Sequence, residues 1–181
     1  LAIRRRVGYM PEADSLIHLI ARLATKQKLG NFLGNSSFEN ATIANSWTVS
    51  GAGATFSRVA GGLLGSYRGD LVYGSAACEV AQIVQFLGDT KLNVGEIYLF
   101  AIRAYAAAAA AVTVKIEERD SGGSNDDSSA AFTVGASGWG TRYVAHQVTD
   151  AASDRLAVRV SLATNTTLHL DVAMLHRGRN L

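Results

Sequence analysis

The chain is predicted to be all-β, an antiparallel β-sandwich preceded by an N-terminal α-helix. Three observations predict this. From Asn35 onward, short runs rich in Val, Ile, Tyr, Phe and Thr alternate with turn residues at intervals of about 8–12 residues. Within them apolar and polar residues alternate, as in Val112, Val114 and Ile116 against Thr113, Lys115 and Glu117. The single proline, Pro11, lies in the head, so no strand meets a proline interruption.

Residues 1–34 form the predicted arm and helix. Pro11 suits a first helical turn, and Glu12 and Asp14 place negative charge at the positive end of the helix dipole. Lys26 and Lys28 sit near the other end, and Gly30 followed by Asn31 makes a stop. Leu16, Ile17, Leu19, Ile20, Leu23 and Leu29 repeat at helical spacing and give a broad apolar face. An isolated helix of this length is marginal in water, so that face is expected to need a partner. Arg4, Arg5 and Arg6 make the head basic. The net charge is +4 over residues 1–34 and −2 over the rest. A short arginine run without interleaved aromatics argues for docking on a protein surface rather than on nucleic acid.

Residues 35–181 form the predicted sandwich. Its expected strands are "SRVAG", "CEVAQIVQFL", "IYLFAIRAYA", "AVTVKIEERD", "AFTVG", "TRYVAHQVT", "RLAVRVSLA" and "LHLDVAMLHRG", with "NSSFENATIANSWTVSG" as an opening strand. The alanine run 106–111 is read as small residues packed within a sheet, and "SGGSNDDSS" as a flexible hairpin loop. With 48% hydrophobic and 18% charged residues, the composition is globular and excludes a disordered chain. The lone Cys78 excludes an intrachain disulfide and is expected as a small buried hydrophobe. No apolar run approaches the roughly 20 residues of a membrane-spanning helix. His18, His146, His169 and His176 fall in no catalytic motif, and neither "GAGATF" nor "GASGWG" has the context of a phosphate loop, so a non-enzymatic protein is expected. His169 and Asp171, two apart on a strand, share a face and are read as a bonded surface pair rather than half a metal site.

"NSSFE" at 35–39, Trp47, "CEVAQIVQFL", "VGEIYLFAIRAYA" and "TTLHLDVAMLHRG" together resemble the galactose-binding-like jelly roll of carbohydrate-binding modules. Such modules are attached to xylanases and cellulases and also occur in bacteriophage tail and head-fibre proteins. The resemblance covers roughly Asn35 to Gly178. It implies a structural calcium held by Glu39 and Asp171, from the first and last parts of the domain. One acid stands at Leu170–Asp171–Val172 where the family often has two. It also implies glycan binding through stacked rings and neighbouring polar groups. Trp139, glycine-flanked in "GASGWGTRYVAHQ", is the leading candidate, with Tyr143, Arg142, Tyr67 and Trp47 beside it; Tyr73 and Tyr105 are further rings on offer, and Gln147 a further polar group. An indole in a sandwich is more often core, and Trp47 is also read that way.

The function expected is that of a non-enzymatic virion-associated attachment or decoration protein. Its jelly roll points toward surface glycans, and its helix drives a homo-oligomer, a trimer by preference, or docks on other virion proteins. The alternatives are a carbohydrate-binding module of a secreted bacterial glycoside hydrolase and a packing domain that binds no glycan.

Overall fold

A computed structural model describes residues 31–43, 46–88, 91–136 and 138–178. They form ten strands and, among the described residues, no α-helix. The strands are β1 (Thr48–Ser50), β2 (Thr55–Ala60), β3 (Tyr67–Val72), β4 (Cys78–Gln85), β5 (Ile97–Ala106), β6 (Ala110–Arg119), β7 (Ser124–Val134), β8 (Gly140–Gln147), β9 (Arg155–Leu162) and β10 (Thr167–Arg177). A back sheet runs β1-β4-β9-β6-β7 and a front sheet β2-β3-β10-β5-β8, with every pairing antiparallel.

The two sheets face each other through one pleat of each strand, because successive side chains on a strand point to opposite faces. Val80, Leu156, Val158, Val160, Leu162, Val112, Val114 and Ile116 come inward from the back sheet, and Leu71, Leu168, Leu170, Tyr98, Phe100, Ile102 and Ala104 from the front. Aromatic clusters plug the interior at two places. Phe32, Phe86 and Tyr98 pack with ring centroids 5.0–6.1 Å apart, and Phe38 packs on Trp47 and Phe56 at 5.6 and 5.7 Å. Trp47 is therefore core, and its indole N–H donates to the Asn35 carbonyl at 3.3 Å. Cys78 is buried as expected.

The chain divides between Gly30 and Asn31. The expected helix and its residues Leu16, Ile17, Leu19, Ile20 and Leu23, together with Arg4–Arg6, lie outside the described residues. Residues 31–34, assigned to the arm by sequence, belong to the sandwich. β3 pairs with β10 only as far as Leu170, and β10 then bulges between Asp171 and Met174, with Val172 at φ 51°. The lead-in segment supplies the missing neighbour. Phe32 N–H donates to the Leu175 carbonyl at 3.1 Å, Ala173 N–H to the Ser36 carbonyl at 2.7 Å, and Asn31 brackets Ala173 and Leu175 with its side-chain amide. On the other side the buried Gln82 amide exchanges two bonds with the backbone of Gly34, at 2.7 and 3.0 Å.

Two further expectations are corrected. The polar stretch 124–129 is the first half of β7 and not a loop; the turn is confined to residues 120–123, where the Asp120 carboxylate accepts from Gly122 and Gly123 N–H. An edge strand with one side in water accepts hydroxyls and acids readily. The alanine run is not continuous sheet either. Ala107–Ala109 are exposed and carry the chain from β5 in one sheet to β6 in the other.

One buried carboxylate ties the sheets together. Glu118, at the end of β6, accepts from His146 Nε2 on β8 at 2.7 Å, from Thr149 and Asp150 N–H at 2.6 and 3.1 Å, and from the Ser153 hydroxyl at 3.1 Å. Truncation to Glu118→Ala strands all four donors in the interior. It should cost about 3–5 kcal/mol of stability in equilibrium urea unfolding, the range for breaking a buried ionic network.

Candidate functional site

The pleats that face away from the core differ sharply. On the back sheet, Glu79, Arg159, Glu117, Lys115, Asp127 and Arg119 neutralise one another in a continuous ion-pair network. Partial burial alone would raise the Glu117 carboxyl, but hydrogen bonds and charge from Arg159, with charge from Arg119, outweigh it and leave the group below its ordinary value. That face carries its own counter-charges.

The outer pleat of the front sheet is aromatic. Register places Ser57, Asp70, His169 and Tyr105 in one row across β2, β3, β10 and β5. Trp139, just before β8, extends the row. Its ring centroid lies 6.0 Å from that of Tyr105, and His169 stacks on the other side of Tyr105 at 5.4 Å with planes 20° apart. His169 is oriented by its neighbour: Nδ1–H donates to Asp70 Oδ1 at 2.7 Å, which leaves Nε2 for a ligand. Asp70 is in turn held by Arg68, whose Nε lies 2.8 Å from Oδ1. One step along the strands, Arg103 donates to the Thr141 hydroxyl at 3.1 Å and to the Trp139 carbonyl at 3.2 Å, so it positions the indole. Beyond it Tyr143, 57% exposed, stands over Ala101. The result is a shallow surface of rings and polar hydrogen-bonding groups, all on rigid strands except Trp139.

The sequence-predicted ligand residues are thus divided. Trp139 and Tyr143 share this face. Arg142 does not: it lies on the inward pleat with Val144 and His146, its guanidinium 5.5 Å from the Phe132 ring and donating to the Thr133 carbonyl. Tyr67 is at the opposite edge, its ring covered by the Arg58 guanidinium at 3.1 Å. Trp47 is enclosed. Alternation is the reason for the Arg142 correction, since adjacent strand residues cannot share a face. His169, Asp70 and Arg103 were not among the glycan candidates, and Tyr105 was one of the rings on offer but not singled out. Their parity with Tyr143 and Thr141 follows only from strand register, and His169 and Asp70 are 99 residues apart. His169 pairs with Asp70 and not with Asp171.

Asp171 and Glu39 cap a single turn. Asp171 Oδ2 accepts from Leu63 and Leu64 N–H at 2.6 and 2.9 Å and its Oδ1 from Val172 N–H at 2.7 Å, while Glu39 Oε1 accepts from Ser66 and Tyr67 N–H at 2.8 and 2.9 Å. Gly65, at φ 89°, lets the turn press against Glu39, since a Cβ there would meet Oε1 at 2.3 Å. Burial pushes the Asp171 carboxyl above its ordinary value, the three N–H bonds pull it down, and the nearby Glu39 charge adds to the rise. The two carboxylates thus lie on one turn, close enough for the Glu39 charge to act on Asp171. Three of their four oxygens already accept N–H donors, however, and calcium seeks six to eight oxygens. Elsewhere, Glu118, Asp126 and His146 bring three ligand-type atoms within 4.8 Å. Glu118 is saturated by the donors described above, which makes that group a hydrogen-bond network.

No protein-family profile and no curated protein matches the chain. Solved structures do. Tailspike protein 4 of bacteriophage CBA120, in its enzymatically active domain, is 17% identical with a TM-score of 0.64, over 82% of this chain and 21% of that one. TmCBM61, in complex with β-1,4-galactotriose, is 17% identical with a TM-score of 0.59, over 82% of this chain and 99% of that one. The CBM22-1 xylan-binding domain of Paenibacillus barcinonensis Xyn10C is 18% identical with a TM-score of 0.62, over 81% and 94%. The chain has a jelly-roll-like β-sandwich fold, the fold that these carbohydrate-binding modules have.

Proposed function

We propose that the sandwich is a non-catalytic glycan-recognition module and that the outer pleat of the front sheet is its binding platform. The observation that carries this is the Trp139–Tyr105–His169 row, three rings side by side on an open sheet face with hydrogen-bonding groups around them. Core packing does not require rings there, because the pleat faces away from the interior. A sugar chain laid along the row would pack its C–H groups on what Trp139 and Tyr105 leave exposed, while His169 Nε2, the Thr141 hydroxyl and arginine N–H groups meet its hydroxyls. The likeness to modules solved with galactotriose and described as xylan-binding supports the reading. Trp139→Ala or Tyr105→Ala should weaken glycan binding about tenfold or more in calorimetric titration, equivalent to about 1.4 kcal/mol, at an unchanged melting temperature. Unchanged binding in both variants would return the chain to the packing-domain alternative.

We place this module in a virion attachment or decoration protein, with residues 1–30 as the assembly arm. The support is the tailspike likeness and the basic, amphipathic pattern of the head. A module of a secreted glycoside hydrolase is the alternative, favoured by the 94–99% coverage of the isolated modules. Multi-angle light scattering of the full chain is expected to give a homo-oligomer, with a trimer preferred. A stable monomer at micromolar concentration removes the assembly reading.

Structural calcium at Glu39 and Asp171 is part of the same proposal. Calcium bound there raises the melting temperature relative to chelator and loses its effect in Glu39→Gln. A melting temperature indifferent to chelator leaves the N–H-capped turn as the whole account.

A further inference from the structure

We infer that the platform selects glycans bearing a carboxylate, a hexuronate unit being the class that fits, and that Arg103 is the specificity-determining residue. The inference rests on the glycan-platform reading and goes beyond it.

The charges of the outer front pleat do not balance locally. Arg68 and His169 both lean on Asp70, which accounts for that acid. Arg103 has no carboxylate within ion-pair reach among the described residues. Its two bonds go to a hydroxyl and a backbone carbonyl, both uncharged, and its Nε is buried without an acceptor. Asp171, its register partner on β10, is fully buried and has both oxygens committed to backbone N–H groups. A partly buried guanidinium without a counter-ion is costly unless something anionic completes it. Three arginines lack a carboxylate partner and have an orphan Nε: Arg58, Arg103 and Arg142. Arg58 lies over Tyr67 and Arg142 beside Phe132, so aromatic rings serve them. No such ring contact serves Arg103.

Its position matches the ligand. Arg103 and Tyr105 are two apart on β5, on one face and about 7 Å apart along the strand. A pyranose stacked on Tyr105 and Trp139 therefore brings a ring carboxylate, on itself or its neighbour, to the guanidinium. The planar fork pairs with a carboxylate through two parallel N–H bonds, which a neutral hydroxymethyl cannot accept.

Calorimetric titration of the full chain with a galacturonate trisaccharide, a neutral xylose trisaccharide and a sulfated oligosaccharide tests this. The galacturonate is expected to bind about tenfold tighter than the neutral sugar at low ionic strength, with the margin shrinking as salt is added. Arg103→Gln should erase the margin, read as the ratio of acidic to neutral affinity in the same variant, and Arg103→Lys should keep part of it, with melting curves confirming the fold of each. Equal affinity for neutral and acidic sugars, or a preference that survives Arg103→Gln, overturns the inference and leaves the platform standing. Sulfated ligand binding as tightly as galacturonate overturns the carboxylate assignment. Failure of every sugar to bind, with Trp139→Ala without effect, sinks the platform and the inference together.

Discussion

Mutual burial of two apolar pleats is the constraint on which the rest of this structure depends. Each five-stranded sheet carries a row of Val, Ile, Leu and Phe on one face, and each such side chain is worth about 1.5–3 kcal/mol when withdrawn from water. Neither sheet can satisfy that alone. Once the inner pleats are fixed against each other, every residue of opposite parity is committed to the outside. The platform row and the back-sheet ion pairs are both consequences of that commitment.

The same burial forces an accounting of polar groups at the sandwich margins. Where β3 ends, β10 would leave backbone groups unpaired, and the lead-in segment takes them up while Gln82 clasps Gly34 from the opposite sheet. Glu118 and Asp171 are buried acids, yet each gathers N–H and O–H donors from loops that would otherwise be held by few contacts. Acids used in this way order loops. Glu39 and Asp171, from the two ends of the domain, hold one turn between them in this way.

The outer faces then diverge for electrostatic reasons. On the back sheet acids and bases alternate at ion-pair distance and cancel. The front face has rings in place of most charges, and one of its arginines is left to hydroxyl and carbonyl acceptors. Tyr105 and His169 are pre-organised, because β5 and β10 fix their spacing before any ligand arrives. Arg103 also holds the Trp139 carbonyl, so positioning of the indole and the charge of the surface reside in one side chain.

The sequence by itself determined the sandwich, because period-two alternation is a local property. Eight strands were legible that way, from "SRVAG" to "LHLDVAMLHR". β1 was too short to show a period, and β3 was hidden by Arg68, Gly69 and Asp70, which disfavour a strand. Only the fold shows Gly69 lying beneath Phe56 and Phe38, where a Cβ would clash at 2.5 Å. Of the site, Trp139 was legible from its flanking glycines. The inward parity of Arg142 could also have been read from Val144 beside it. The union of Trp139, Tyr105, His169, Asp70 and Arg103 was decided by tertiary structure alone. Strand order and register bring together side chains from β3, β5, β8 and β10, and no local pattern records which strands become neighbours.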